Sequence, residues 1–261
     1  MGLIRGGLLV LSIILLFVSL FAGNIFITLS YSITPESIKK EIIANPDEIT
    51  KSFGGENVSK EVDSIYPAMK SYCQNNTEYV FSLEGHTVDI PCSTVLEGKE
   101  AIIEEGVDDI IEETYYTEHE CESFWTCVSD FNNPLFLFSE ESKDYWQKMF
   151  YYSLFISLVL IVLMFFLVEQ KSSLPIIVGS LLIVSSLPLI KIESLFSLFG
   201  ESFEKIFSIF FSESTNVFFI NLVIGIVIIA LGVGMKSFNI GMSIFKKFDA
   251  KSKKRKNSDK E

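Results

Sequence analysis

Four long apolar runs without a charged residue dominate the pattern of this chain. Residues 7–29 form the first, with 23 consecutive uncharged residues. At about 1.5 Å rise per residue, a helix of this length crosses a hydrocarbon core of roughly 30 Å. Residues 149–168, 174–190 and 217–235 are three similar runs. The pattern predicts an α-helical polytopic membrane protein with four transmembrane helices.

The first apolar run is interpreted as an uncleaved signal anchor. It is longer than the roughly 7–15 apolar residues of a signal peptide, and no small-x-small cleavage site follows it. The chain therefore begins with a short segment, residues 1–6, before the first span.

The segment between the first two spans, residues 30–148, has the alternating pattern of a small folded domain. Residues 79–83 and 86–90 flank Glu84-Gly85, which predicts a two-residue β-hairpin turn. Thr34 before Pro35 predicts a capped helix start. Two further helices are predicted from apolar residues at helical spacing, which are Val58, Val62, Ile65 and Met69, then Ile103, Val107, Ile110 and Ile111. We expect a mixed α/β, mainly helical domain.

Residues 191–216, between the third and fourth spans, have a helical period with one aromatic face and one polar face. The apolar positions are Phe196, Phe199, Phe203, Ile206, Phe207 and Phe210. The regular charged stripe predicts an interfacial amphipathic helix, lying on the outer leaflet or against the outer domain. A pore-lining re-entrant helix is the alternative.

Charge is divided unevenly between these segments. Residues 31–148 hold 25 acidic and 8 basic residues, whereas the rest of the chain holds 8 acidic and 13 basic residues. The positive-inside bias therefore predicts cytoplasmic segments at 1–6, 169–173 and 236–261. Residues 30–148 and 191–216 are then extracellular, on a multi-pass protein of the cell membrane.

All four cysteines lie in the acidic segment, at positions 73, 92, 121 and 127. An even number of cysteines on the oxidising face favours disulfides. Of three pairings, the hairpin favours Cys73–Cys92 together with Cys121–Cys127, because the hairpin brings Cys92 opposite Thr77. The second pair closes a small loop that presents Phe124 and Trp125 as a candidate interaction surface. A metal site including His119 and a redox-active disulfide are the alternatives.

Two kinds of surface site are predicted outside these loops. Asn57 and Asn75 begin glycosylation sequons. The basic tail is expected either to be disordered or to contact anionic inner-leaflet lipids, through Lys246, Lys247, Lys251, Lys253, Lys254, Arg255 and Lys256.

No ionisable residue lies within the four spans, which argues against a pump or a proton-coupled transporter. Asn24, Asn221 and serines such as Ser185 are expected to form hydrogen bonds between helices, and Ala230 with Gly234 to permit close packing of the fourth span. The chain also lacks a nucleophile-elbow pattern and a phosphate-binding loop.

The functional expectation is a non-enzymatic protein without a cofactor. Its expected partners are the lipid bilayer and a protein bound by the extracellular domain, and not nucleic acid; an oligomer is compatible with this layout. A channel or transporter subunit and a membrane thiol oxidoreductase are the alternatives. The layout resembles claudin-like four-span proteins in outline, although their Gly-Leu-Trp signature is absent, so no family is assigned.

Overall fold

The computed structural model describes residues 3–44, 58–83, 86–118, 123–129, 134–192 and 207–258. The chain divides into two compact units. The first, called the bundle unit, comprises Met1–Asn24, Tyr151–Pro188 and Asn216–Glu261; the second, called the disulfide unit, comprises Ile25–Phe150 and Leu189–Thr215.

The described elements are mostly helical. In chain order they are α1 Leu3–Ser32, α2 Pro35–Ala44, α3 Val58–Tyr72, β1 Glu78–Leu83, β2 His86–Pro91, α4 Cys92–Glu97, α5 Lys99–Tyr116, α6 Phe124–Ser129, a 3-10 helix Pro134–Phe138, α7 Glu140–Leu167, α8 Leu174–Ser186 and α9 Ser214–Ser258. Short 3-10 turns flank α8 at Lys171–Ser173 and Leu187–Lys191.

In the part of the chain that the structure describes, four helical segments are long and apolar enough to cross a membrane, which indicates a multi-pass membrane protein. They are Ile4–Ser32, Glu140–Leu167, Lys171–Lys191 and Phe207–Phe238. Their outward surfaces carry large apolar side chains such as Phe155, Phe166 and Leu231, all more than half exposed. Apolar surface on this scale suits lipid and not water.

The helices of the bundle unit meet around a small apolar core. Leu16 and Met164 are fully buried and pack with Val168 and Leu174. Helices α8 and α9 approach each other closely, because a Cβ added to Gly179 would lie 2.7 Å from the carbonyl oxygen of Gly225. Only glycine permits this contact, since small residues let helix backbones approach.

The fourth span packs against α8 through glycines other than Gly234, and not through the predicted pair of Ala230 and Gly234. Nothing lies within 4 Å of a Cβ added to Gly234, and Ala230 is exposed. Instead Gly225 packs on α8, and Gly232 packs against Ile176. The spacing of small residues indicates a helix face that could pack closely, but it does not show whether another helix lies against that face.

The basic tail is helical and not disordered, because α9 continues to Ser258 without interruption. No proline follows residue 188, and the tail is rich in lysine, which is a good helix former. The helix of the fourth span therefore does not end at the predicted border between that span and the tail, residues 235 and 236.

The disulfide unit contains the predicted hairpin. Strands β1 and β2 pair antiparallel from Glu78 opposite Pro91 to Leu83 opposite His86. One step further, the amide of Cys92 donates a hydrogen bond to the carbonyl of Thr77 at 2.9 Å. This register places Cys92 beside the end of α3, where a disulfide joins it to Cys73.

Helix α5 lies at the centre of the disulfide unit and contacts two cores. One side contributes Ile111 and Tyr115 to a core with Ile33, Ile38 and Phe138. The other side contributes Ile102 to the core around the disulfide. The predicted stripe of α5 included Ile111 but omitted Ile102 and Tyr115, because a helix buried on two sides has no single apolar face.

The helix starts in this unit follow local chemistry. Thr34 caps α2, since the amide of Ser37 donates to the Thr34 hydroxyl at 3.3 Å. This is the usual N-cap geometry. Pro67 lies inside α3, and Val62 and Met69 on that helix are buried as its apolar spacing predicted. Asn45-Pro46, which has a similar helix-start pattern in the sequence, lies outside the described residues.

The predicted interfacial helix at 191–216 is interrupted in its described part. Residues 207–210 are helical, 211–213 form a turn, and α9 begins at Ser214. Ile209, Phe210 and Phe211 are all buried in the core that contains Tyr115. Three consecutive buried residues do not fit one amphipathic face, so this end packs into the disulfide unit; residues 193–206 lie outside the described residues.

Candidate functional site

The short helix α6 holds the predicted interaction residues Phe124 and Trp125. Ser123 begins it, because the amide of Thr126 donates to the Ser123 hydroxyl at 3.3 Å. The amide of Cys127 also donates to the Ser123 carbonyl at 3.2 Å. These bonds satisfy free amides at the helix start and fix the direction of its side chains.

Phe124 is half-buried, and its ring makes aromatic contacts within the chain. Its ring stacks on Tyr145 of α7 with centroids 3.8 Å apart and an interplanar angle of 1°. The ring also lies 5.6 Å from Phe136 and 5.3 Å from Trp146. Trp146 in turn stacks on Phe26 of α1 at 5.8 Å. Aromatic contacts of this kind add stability beyond the area they bury.

Four chain segments therefore meet in one aromatic platform, defined here as Phe26, Phe124, Phe136, Tyr145 and Trp146. Of these five residues, the sequence pattern indicated only Phe124 as a site residue. Their shared location could not be deduced, because aromatic residues are frequent throughout this chain and the partners are distant in sequence.

Trp125 lies next to this platform and projects from it. Its side chain is 62% exposed. The indole contacts Phe124 edge-to-face at 5.5 Å and lies 6.3 Å from Tyr145 in the same geometry. Phe124 thus anchors α6 to the platform, while Trp125 provides an exposed apolar surface.

The cysteine of α6 adds a covalent constraint. Cys127 is 4% exposed and disulfide-bonded. Cys121, its predicted partner, lies outside the described residues, as do His119 and the glutamates beside it. Among the described side chains, no three His, Cys, Asp or Glu residues come together as a metal site requires.

Carboxylates surround the start of α7, close to the platform in sequence. Burial raises the pKa of Tyr115 to about 12, and the negative charges of Glu140, Asp144 and Glu36 add to the shift. Its hydroxyl is buried and makes no hydrogen bond in the described part of the chain. The first turns of α7 carry three carboxylates, Glu140, Glu141 and Asp144, against one cation, Lys143.

A second acidic region lies along α5. Burial raises the pKa of the Asp109 carboxyl, and the neighbouring charges of Asp108, Glu112 and Asp89 raise it further. Lys39 of α2 partly compensates, because it forms ion pairs with Asp108 and, at 3.3 Å, with Glu104. The hydrogen bond to Asp108 raises the pKa of Lys39.

Polar side chains inside the bundle unit bond to one another. Asn221 donates to Asn24 at 3.0 Å, and Asn24 donates to Ser185 at 3.2 Å. Ser157 donates to Ser19 at 3.0 Å, and Ser19 to the carbonyl of Ser153 at the same distance. These are interhelical bonds of the kind expected from the sequence.

Two cations cap the end of α7. Arg5 donates from Nε to the carbonyl of Leu167 at 2.9 Å, while Lys171 bonds the carbonyl of Phe165. The last carbonyls of a helix lack partners within it and favour positive charge. Arg5 therefore fixes the start of α1 against the end of α7.

The other predicted sites are only partly described. Asn75 lies exposed in the turn after α3, and Asn57 lies outside the described residues. The basic residues predicted to contact lipid lie along the described backbone of α9.

Comparison with known proteins gives no family for this arrangement. No protein-family model, curated protein or solved structure matches the chain.

Proposed function

We propose that this chain is a non-enzymatic four-span membrane protein whose segment 30–148 lies outside the cell and binds a protein partner. The four apolar helices support the membrane part. The partner-binding part rests on the surface presented by α6.

The charge distribution supports the orientation. Arg5 precedes the first span, and the basic tail follows the last, whereas residues 31–148 carry 25 acidic against 8 basic residues. Positive flanks are retained in the cytoplasm. The Cys73–Cys92 disulfide agrees with an oxidising exterior for the acidic segment.

The observation that carries the proposal is the exposure of Trp125 on a fixed base. Phe124, the preceding residue, is stacked on Tyr145 at 3.8 Å, so the backbone of α6 has little freedom. A large apolar side chain held in place loses less entropy on binding than a mobile one. Tryptophan is also among the residues that contribute most energy to protein interfaces.

The surroundings of Trp125 indicate the chemistry of the partner. Exposed Glu141 and Asp144 lie on the first turns of α7, near Tyr145 in sequence. The negative potential at this end of α7 favours a partner that combines basic and apolar groups. A lysine or arginine of the partner can also lie over the indole face, in a cation–π contact.

Contacts elsewhere in the chain agree with a binding role. Cys73 and Cys92 are only 6% and 5% exposed, whereas thiol exchange needs an accessible cysteine. In the bundle unit, Asn24, Ser185 and Asn221 bond to each other. These features support stability more directly than turnover or transport.

A matched pair of substitutions tests the proposal. Trp125→Ala removes the exposed indole, and Tyr72→Ala removes another exposed aromatic ring of the same unit. Full-length variants are expressed in the cells that make the protein, chemically crosslinked at the surface and quantified by mass spectrometry. We expect one outer-face protein to be depleted at least about tenfold by Trp125→Ala, as for an interface hot spot, and retained by Tyr72→Ala. Equal recovery with both variants contradicts the proposal.

A further inference from the structure

We propose that residues 236–254 form an amphipathic helix that binds the surface of an anionic lipid bilayer. Helix α9 runs unbroken from Ser214 to Ser258, and the apolar span within it ends at Phe238. A continuous helix gives each residue of the tail a defined angular position, which a disordered tail would not.

The helical positions separate basic from apolar residues. At about 100° per residue, six lysines fall within an arc of about 160°, and these are Lys236, Lys246, Lys247, Lys251, Lys253 and Lys254. Five apolar residues fall within the opposite arc, and these are Phe238, Met242, Ile244, Phe245 and Phe248. Ile240, Asp249 and Ala250 are the exceptions to this separation, and Arg255 and Lys256, just beyond the segment, fall on its apolar side.

The charge of this helix selects an anionic surface. From Lys236 to Lys254 the sequence has six basic residues and one acidic residue, Asp249. Lysines on one face and phenylalanines on the other are the composition of helices that lie in the plane of a membrane interface. Each basic residue near an anionic leaflet strengthens the attraction.

Continuity with the fourth span favours lipid over a soluble acidic partner. The tail begins where the span ends, so it is held beside a bilayer at all times. This tethering makes binding to the surface intramolecular and raises its effective concentration.

A straight extension of the span would not reach the lipid. Lys254 is 16 residues beyond Phe238, or about 24 Å along a helix. Charges interact over only about 10 Å at moderate salt. Lipid binding therefore requires the helix to bend at the start of this segment, where Ser237, Asn239 and Gly241 provide residues of low helix propensity. The helix after Gly241 keeps five of the six lysines and four of the five apolar residues, so the two arcs persist beyond the bend.

The test uses the full-length chain in proteoliposomes with a nitroxide label at one of two positions. Phe245→Cys places the label in the apolar arc, and Ser243→Cys places it in the basic arc as the matched control. Labelling is done without reductant to preserve the disulfides. Accessibility to oxygen and to a water-soluble nickel complex is measured in phosphatidylcholine alone and with phosphatidylglycerol added.

We expect the label at 245 to become immersed only when anionic lipid is present, while the label at 243 stays accessible to water. Replacing Lys246, Lys247, Lys251, Lys253 and Lys254 with glutamine should reduce the immersed fraction at least about tenfold, and arginine at the same positions should preserve it. The proposal is overturned if the label at 245 has the same accessibility in both lipid mixtures, or if glutamine has no effect.

Discussion

Asn221 of α9 donates a hydrogen bond from Nδ2 to Oδ1 of Asn24 in α1, at a distance of 3.0 Å. The side chain of Asn24 then donates to Ser185 of α8 at 3.2 Å. Three of the four apolar helices are thus linked by one chain of hydrogen bonds. In an apolar bundle these bonds specify which helix faces meet.

Breaking this chain should destabilise the bundle. Asn221→Leu leaves the buried Asn24 carbonyl oxygen without this donor, and we expect a loss of about 0.6–2 kcal/mol in the free energy of unfolding. Reversible unfolding in mixed micelles measures it. Ser180→Ala, at an exposed position of α8, is the control and should change stability little. Similar losses for both variants would show that the hydrogen bond has no special role.

Glycine should be required at the contact between α8 and α9. A Cβ at position 179 would lie 2.7 Å from the Gly225 oxygen and 2.8 Å from Ile229 Cγ1. Overpacking of this kind costs about 1–3 kcal/mol, so Gly179→Ala should lower the unfolding free energy by that amount. Gly234→Ala, which meets nothing within 4 Å, should be neutral or stabilising. Equal effects of the two substitutions would place the helix contact elsewhere.

The disulfide at the base of the hairpin should contribute substantially to the stability of its unit. Cys73 and Cys92 are 19 residues apart in sequence, and closing a loop of this size stabilises by about 3 kcal/mol in the chain-entropy model. The double variant Cys73→Ser/Cys92→Ser should lose a comparable free energy of unfolding, measured by denaturant titration. Val80→Thr, on the exposed side of β1, is the control. A loss no greater than that of the control would contradict this role.

The acidic region on α5 should make stability depend on pH. Burial raises the folded-state pKa of Asp109, so the folded state favours its protonated form. This contribution to stability is present below the ordinary pKa near about 4 and is lost as the pH rises through the raised value. Asp109→Asn should therefore raise the unfolding temperature relative to the wild type more at pH 7 than at pH 3.

Thermal unfolding of both proteins between pH 3 and pH 7 tests this dependence. Glu97→Gln, which neutralises an exposed carboxylate of α4, is the control and should show no such divergence. If the unfolding temperatures of Asp109→Asn and the wild type differ by the same amount at every pH, the raised pKa of Asp109 is contradicted.

The spans, the hairpin and the cap at Thr34 could be predicted because each depends on local pattern. Uncharged runs require lipid, alternation across Glu84-Gly85 requires a turn, and Cys92 opposite Thr77 follows from the register. These signals lie within a few residues of the element they predict.

Contacts between distant segments could not be predicted in the same way. The meeting of Gly179 with Gly225 depends on which helices are neighbours. The stacking of Phe124 on Tyr145 depends on the path of the chain between α6 and α7. The helical tail after Phe238 was missed because a high density of like charge is also typical of disordered segments.

The central claim is that Trp125 contacts a protein outside the cell. The most direct measurement replaces Trp125 with a photoreactive phenylalanine analogue in the full-length chain, irradiates intact cells and identifies the adducts by mass spectrometry, with Tyr72 replaced in parallel. We predict a discrete protein adduct from position 125 that is absent from position 72 and is suppressed by high salt, as acidic surroundings require. Adducts with lipid alone, or the same adducts from both positions, would contradict the claim.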